Sequence, residues 1–302
     1  MTATLLDALR RAEDALAAAG LPSPRSDAEL LAAHVASIPL TLLRTAAWRG
    51  DTWNHVMDDG GTDVPVDLAA RFDHLVSLRC GRVPLQHLTG VAAFRTLELA
   101  VGPGVFIPRP ETEIVAQAGL DALASLEPAA SLLAVDLCTG SGALAASLLA
   151  EGPANLCVIA VDASLDALAY ARRNLASSRA ALICADVTQP LPLNLDGQVD
   201  LVVSNPPYLA PHQTPEDPET THDPQAALYG GGADGLDLPT AIVHHAERLL
   251  RGGGTLVLEH DPSQAKPLHN YATRRPRWHT ATTLPDLASR PRALRAQRGG
   301  TG

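Results

Sequence analysis

Leu132-Leu133-Ala134-Val135-Asp136-Leu137-Cys138-Thr139-Gly140-Ser141-Gly142 opens as an apolar run, turns polar and glycine-rich, and leads into the helix-like stretch Ala143 to Ala150. A strand, a tight loop and a helix in that order form the first turn of an open α/β sheet. The pattern continues outward. Val158 to Val161 reads as the next strand, and Ser164 as the cap of a helix through Leu165, Leu168 and Arg172. Leu182-Ile183, Leu201 to Val203 and Thr255 to Glu259 read as further strands, the last after a helix around Ile242 to Leu250. This alternation predicts a mostly parallel sheet with helices on both faces, and the tail after about Arg295 is expected to fray.

Upstream the rhythm differs. Leu5, Leu9, Ala12 and Leu16 follow a helical stripe that Gly20 and Pro22 end. Leu31, Val35 and Ile38 repeat it before Pro39, as do Leu68, Phe72 and Leu75 before Gly81. Short amphipathic helices must bury their stripes against one another, so residues 1–90 are expected to form a small helical bundle domain. Leu97, Leu99 and Val101 alternate between turn residues, which makes 91–107 a β-hairpin connector and leaves 108–302 for the α/β domain.

Of 302 residues, 46% are hydrophobic and 19% charged, enough to bury a sizeable core; with aromatics at 3%, Leu, Val and Ala must fill it. The formal net charge of -10 argues against a protein that wraps DNA through phosphate contacts. Cys80, Cys138, Cys157 and Cys184 are widely spaced, as expected for a reduced cytoplasmic protein rather than a disulfide framework. No basic leader precedes an apolar core, and no segment reaches about 18 uncharged apolar residues, so no membrane association is expected.

The loop from Asp136 to Gly142 has the character of a cofactor site, since its glycines let the backbone approach a ligand. Asp162 ends the second strand, where a carboxylate can accept both hydroxyls of a ribose. Gly140-x-Gly142-x-x-Ala145 also fits the dinucleotide fingerprint. Asp136 weighs against that choice: a carboxylate repels a pyrophosphate but attracts the ammonium and sulfonium of S-adenosylmethionine. The loop therefore favours S-adenosylmethionine over NAD, with a plain strand-to-helix turn capped by Asp136 as the bland alternative.

Asn205-Pro206-Pro207-Tyr208 follows the fourth strand, at the end where open α/β sheets bind ligands. The Asn205 side-chain oxygen and the Pro206 carbonyl are two fixed acceptors suited to the two N–H groups of a planar NH2. Holding both aims the nitrogen lone pair at a methyl donor and stabilises the positive charge that develops on nitrogen. Tyr208 is suited to wall the pocket or stack on the substrate. A rigid turn that merely ends a strand is the alternative for Pro206-Pro207.

The tetrapeptide and the Asp136 to Gly142 loop together resemble the class I S-adenosylmethionine-dependent amino and amide methyltransferases. Gly81-Arg82-Val83-Pro84-Leu85-Gln86-His87 and Gly104 through Ile107-Pro108-Arg109-Pro110-Glu111-Thr112-Glu113 narrow this to a resemblance to the peptide chain release factor N(5)-glutamine methyltransferases. Asp223-Pro224, Gly231 through Asp237 and Asp286-Leu287-Ala288-Ser289-Arg290 agree with it. The resemblance implies a Rossmann-like seven-stranded sheet and methylation of the glutamine in the Gly-Gly-Gln tip of class 1 release factors, with the helical domain gripping that protein substrate. It places S-adenosylmethionine on Cys138, Thr139, Gly140, Ser141, Gly142, Asp162, Asp186-Val187 and Asn205, and the target amide against Asn205 to Tyr208. Two positions depart from the family pattern: Cys138 stands where glycine is usual, and Val187 where an aromatic residue is common. A monomer with no metal is expected.

Two other functions stay open at this point. Adenine-N6 methyltransferases share the tetrapeptide but need a basic groove, and a degenerate fold could serve as a non-catalytic binding module. His212, Glu216, Asp217, Glu219, His222 and Asp223 match no compact ligand pattern and read as a solvated acidic loop, placed to act as a lid after Tyr208. Arg109 and Glu111 are expected to pair with each other, His244-His245 to be surface or core filler, and Arg274-Arg275-Pro276-Arg277 to be a solvated run.

Overall fold

The computed structural model describes residues 4–57, 67–127, 130–176, 179–215 and 217–300, so Glu216 lies outside the described residues. The chain divides into two compact units, residues 1–90 with Asp217–His222 and the remainder from Val91.

The first unit is helical: α1 Leu5–Ala18, α2 Pro24–Ala36, α3 Leu40–Arg49, α4 Trp53–Met57, α5 Leu68–Cys80 and α6 Leu85–Thr89. Thr4 Oγ1 accepts from the Asp7 amide while Asp7 Oδ2 accepts from the Thr4 amide, a reciprocal cap that satisfies the first turn of α1. The expected stripes meet inside: Leu5, Leu16, Leu31, Leu43 and Phe72 are all fully buried. No single helix among the described residues is long and apolar enough to cross a membrane; the apolar pair α2 and α3 meets at 99° and fills this core. Arg79 near the end of α5 is buried as well. Its Nε bonds Asp27 Oδ2 at 2.8 Å and its Nη1 bonds Glu219 Oε1 at 2.8 Å, so Asp217–His222 is held on the helices by charge.

The second unit begins with an antiparallel hairpin, β1 Val91–Phe94 and β2 Leu97–Ala100. There follow α7 Glu113–Ala124, β3 Leu132–Leu137, α8 Ala143–Glu151, β4 Leu156–Asp162, α9 Leu165–Asn174, β5 Ala180–Cys184 and β6 Val199–Ser204. Then come α10 Asp237–Leu249, β7 Leu250–Glu259, α11 Ala265–Thr273, β8 Trp278–Pro285 and β9 Pro291–Arg298. The sheet order is β5-β4-β3-β6-β7-β9-β8, with only β9 running against the rest. Ala134, Ala160, Leu201 and Val203 face a core shared with α7 and α8, while Val135, Leu137, Val161 and Val202 face one shared with α10 and α11. Strands buried on both faces take continuous apolar runs, and that is the signal by which the sequence displays them.

The carboxyl-terminal stretch corrects one expectation. Far from fraying, 295–298 belongs to β9, which lies between β7 and β8 with Gln297 opposite Thr255. Its buried Ala293, Leu294 and Ala296 are small or few, so the strand looks charged in sequence although its backbone is paired on both edges. The Arg274 to Arg277 run is also not simply solvated: Arg275 Nη2 bonds Glu247 Oε2 at 2.8 Å and stacks over Tyr271. His245 is core, with Nε2 donating to the Val187 carbonyl at 2.9 Å; burial lowers its pKa.

Candidate active site

Sheet register brings the named residues to one edge. Leu137 lies opposite Val161 of β4 and Ser204 of β6, Asp162 opposite Cys184 of β5, and Ser204 opposite Leu258 of β7. The segments that leave these strands, Cys138 to Gly142, Asp186-Val187, Asn205 to Tyr208 and the end of β7 at Glu259, therefore emerge side by side.

Asp136 sits at full burial beneath the first loop. Its Oδ2 accepts from Thr139 Oγ1 at 2.6 Å and from the Ala145 amide at 3.2 Å, whereas its Oδ1 is buried with no partner. Burial pushes its pKa up to about 7, against the pull of those two donors. Asp162 closes the loop from the other side: Oδ2 accepts from the Gly140 amide at 2.8 Å and Oδ1 from the Ser164 amide at 2.9 Å. Each oxygen keeps a second lone pair. Desolvation raises this pKa too. Asn174 Nδ2 donates to the Ser141 carbonyl at 2.8 Å and to the Ala100 carbonyl at 3.0 Å, fastening the loop to the hairpin.

The loop backbone explains its residues. At Gly142, φ is +85° and an added Cβ would meet Leu175 Cδ1 at 3.2 Å, so glycine is required both by conformation and by the packing of α8 on α9. Cys138 has φ +59°, the left-handed region, and thus carries a side chain where the backbone favours none. The residue is half-buried, and desolvation raises its thiol pKa. Val187 is 4% exposed and packs among Leu191, Leu193 and Ile242, so its side chain offers little surface for stacking. Asp186 is exposed, with Oδ1 accepting from the Thr188 amide and hydroxyl at 2.8 Å each.

At the end of β6, Asn205 Nδ2 donates to Thr112 Oγ1 at 3.0 Å. Among the described residues, nothing donates to Asn205 Oδ1 or to the Pro206 carbonyl. The backbone beyond is pinned on both sides. Tyr208 and Leu209 amides donate to the Leu228 carbonyl at 3.1 and 2.8 Å, and Gln264 Nε2 joins the Tyr208 and Asp234 carbonyls at 2.7 and 2.9 Å. The turn through Gly235 packs directly on this backbone: a Cβ there would lie 2.2 Å from the Tyr208 carbonyl oxygen. The Tyr208 hydroxyl reaches Glu259 Oε1 at 3.4 Å, and burial raises the Tyr208 pKa. Glu259 is itself buried, its pKa pushed up to about 7 by desolvation and held down by the neighbouring Thr112 hydroxyl and Arg292.

Thr112, Glu259, Gln264 and Asn174 are neighbours of the candidate site that sequence reasoning misses. Thr112 lies inside the Ile107 to Glu113 motif and Glu259 at the carboxyl end of an expected strand, which is the signal available for them; the two amides carry none. The ion pairs differ from expectation. Arg109 bonds Asp223 Oδ2 at 2.9 Å and stacks over Phe106, while Glu111 lies 3.7 Å from Arg290. Within the acidic stretch, Glu219 on Arg79 and Asp223 on Arg109 are ion-paired, while His212 and His222 are exposed and Glu216 lies outside the described residues.

Against known proteins, the family model described as "PrmC N-terminal domain" matches residues 7–90, and "Methyltransferase small domain" matches 101–222. Release factor glutamine methyltransferases of Streptomyces coelicolor and Mycolicibacterium smegmatis are 44% and 46% identical, each over 97% of this chain and 98% of the relative. The chain belongs to the release factor glutamine methyltransferase family. It is accordingly an enzyme, a methyltransferase built on the Rossmann-like sheet described above. A Pyrococcus furiosus methyltransferase structure aligns with a TM-score of 0.51 at 19% identity, covering 74% of this chain and 99% of that one, a likeness of fold alone.

Proposed function

We propose that this methyltransferase transfers a methyl group from S-adenosylmethionine to the side-chain nitrogen of the Gly-Gly-Gln glutamine in class 1 release factors, in the cytoplasm and as a monomer. The observation that carries this reading is the pair of unspent acceptors, Asn205 Oδ1 and the Pro206 carbonyl, at the edge where the Asp136 loop emerges. The relatives' name supplies the acceptor class.

The chain's own residues fit the cofactor. Asp136 Oδ1 is a buried acceptor lacking a donor, next to a loop of left-handed backbone, and an ammonium group supplies the missing proton donor. Asp162 retains acceptor capacity for ribose hydroxyls, and Cys138 to Gly142 offers close-approach backbone; Asp186-Val187 contributes backbone and rim rather than a stacking face. The bound cofactor supplies an electrophilic methyl on a sulfonium.

At the acceptor, Asn205 Oδ1 and the Pro206 carbonyl each take one N–H of the glutamine amide. This fixes the nitrogen plane and turns its lone pair toward the methyl. Both acceptors bind more strongly as positive charge grows on nitrogen, which is differential stabilisation of the transition state. The methylated nitrogen then loses one proton to solvent. Tyr208 and Pro207 wall the amide. The helical unit grips the protein, and no sequence-specific nucleic-acid contact is invoked. The test is incubation with S-adenosylmethionine and a purified release factor, with mass spectrometry of the Gly-Gly-Gln peptide. One added methyl group on glutamine supports the reading; methylation of nucleic acid and not of the peptide overturns it.

A further inference from the structure

The motif Asp286-Leu287-Ala288-Ser289-Arg290 lies outside the Asp136 and Asn205 loops, and it forms a braced turn between β8 and β9. Asp286 is buried. Its Oδ1 accepts from the Ala288 and Arg290 amides at 2.9 Å each, and its Oδ2 from Arg290 Nε at 3.0 Å. The Asp286 amide donates to the Arg290 carbonyl at 2.8 Å, and the Ser289 amide to the Asp286 carbonyl at 2.9 Å. Ser289 sits at φ +61°, in the left-handed region. The crest of this turn is Leu287, 101% exposed, with Pro285, Ala288 and Pro291 of the same hairpin end exposed too. A lone surface leucine needs no explanation. A leucine held out by a turn whose buried carboxylate is spent on fixing its shape is a preorganised contact, and preorganisation lowers the cost of binding.

The turn stands on the edge of the sheet that carries Asn205. β7 and β8 both run against β9, so β8 ends where β7 ends. Glu259, Ala293 and Leu284 lie in one row across these strands, and Asn205 follows Ser204, whose partner Leu258 directly precedes Glu259. The rim between them is continuous: Arg290 Nη2 lies 3.7 Å from Glu111 Oε1, and the next residue, Thr112, accepts from Asn205 Nδ2 at 3.0 Å. Two to three strand spacings separate Asn205 from the turn, about 10–14 Å, which roughly three or four residues of extended chain span. A Gly-Gly-Gln tip offers one side chain to grip, so selection of one protein must come from surface around the tip. We infer that the β8–β9 turn is a docking point for the protein substrate, with Leu287 buried against an apolar surface of the release factor beside its Gly-Gly-Gln tip. The inference rests on the proposed glutamine reaction. The shared rim with the acceptor residues favours the substrate over a second copy of this chain as the occupant. Leu287 acts on binding of the protein and not on the transferred group.

The experiment measures kcat and KM on a purified release factor, the cofactor Kd by calorimetry, the thermal midpoint Tm and the mass by sedimentation, for the wild type, Leu287→Ser and Leu287→Met. Leu287→Ser should raise KM by about tenfold to a hundredfold, the worth of one buried leucine, with kcat and cofactor Kd unchanged. Its Tm should match the wild type, because a fully exposed side chain contributes nothing to the fold. Leu287→Met keeps an apolar side chain of similar volume and should recover most of the loss. Wild-type KM in Leu287→Ser, a loss confined to kcat, or equal loss in the Ser and Met variants overturns the docking point. A lowered Tm in Leu287→Ser overturns it as well, since Leu287 would then be a structural contact. So does a wild-type dimer that Leu287→Ser dissociates with KM unchanged, which assigns the turn to self-association. Failure of the wild type to methylate the release factor overturns instead the proposed function.

Discussion

Asp136→Asn, tested across pH, probes how the loop holds a cationic ligand. Burial raises the Asp136 pKa from 3.8 to about 7, a shift of roughly three units or about 4 kcal/mol against the charged form. The sign follows. Between about pH 4 and about pH 7 the unfolded chain loses this proton first, so the penalty on the ligand-free fold develops as pH rises through that window and stays above it. An ammonium at the orphaned Oδ1 reverses the preference, and binding should then expel the proton. At about pH 6, roughly nine-tenths of free Asp136 is protonated, so cofactor binding should release close to one proton; near pH 8 it should release almost none from this group. Calorimetry in two buffers of different ionisation enthalpy counts these protons directly. In Asp136→Asn the side-chain oxygen is retained for Thr139 and Ala145, which leaves an NH2 where the ammonium should sit. Affinity should drop by about 2–3 kcal/mol, on the order of a hundredfold, and the proton release should vanish. Equal proton release in the variant, or unchanged affinity, would refute the assignment of Oδ1 as the ammonium partner.

Three further outcomes follow from the same geometry. Asn205→Ala should lower kcat by about 10²–10³ while weakening cofactor binding only modestly, as single-turnover rates and calorimetry would show. Arg79→Ala should destabilise the helical unit by about 3–5 kcal/mol, since Asp27 would be left buried without its cation, whereas Glu219 keeps Arg82; urea denaturation measures this, and a change under about 1 kcal/mol would contradict it. At Cys138, φ +59° inverts the usual ranking of small residues: Cys138→Gly should be more stable than Cys138→Ala by about 1 kcal/mol in the same denaturation assay, whereas elsewhere alanine is favoured over glycine by a similar amount.

What the sequence reveals and what it hides have physical reasons. The five parallel strands from β3 to β7 are apolar on both faces, so they stand out, and the residues at their carboxyl ends can be named from the sequence alone. β9 escapes because pairing is a property of backbone, and a strand lined by Arg292, Arg295 and Arg298 shows no alternation strong enough to betray it. The site divides the same way. Asn205 and Asp136 are legible because motif and strand end coincide. The partner of the Asn205 amide is not, since Thr112 lies 93 positions away in the chain. Cys138 shows the converse: the sequence marks it as a departure, and only its φ turns that departure into a statement about strain. A left-handed cysteine persists at a loop only when the surrounding contacts over-determine it, and here Asp136, Asp162 and Asn174 each tie the loop down independently. The loop is therefore held in its left-handed shape by side chains outside its glycines, and its tolerance of Cys138 is a consequence of that bracing.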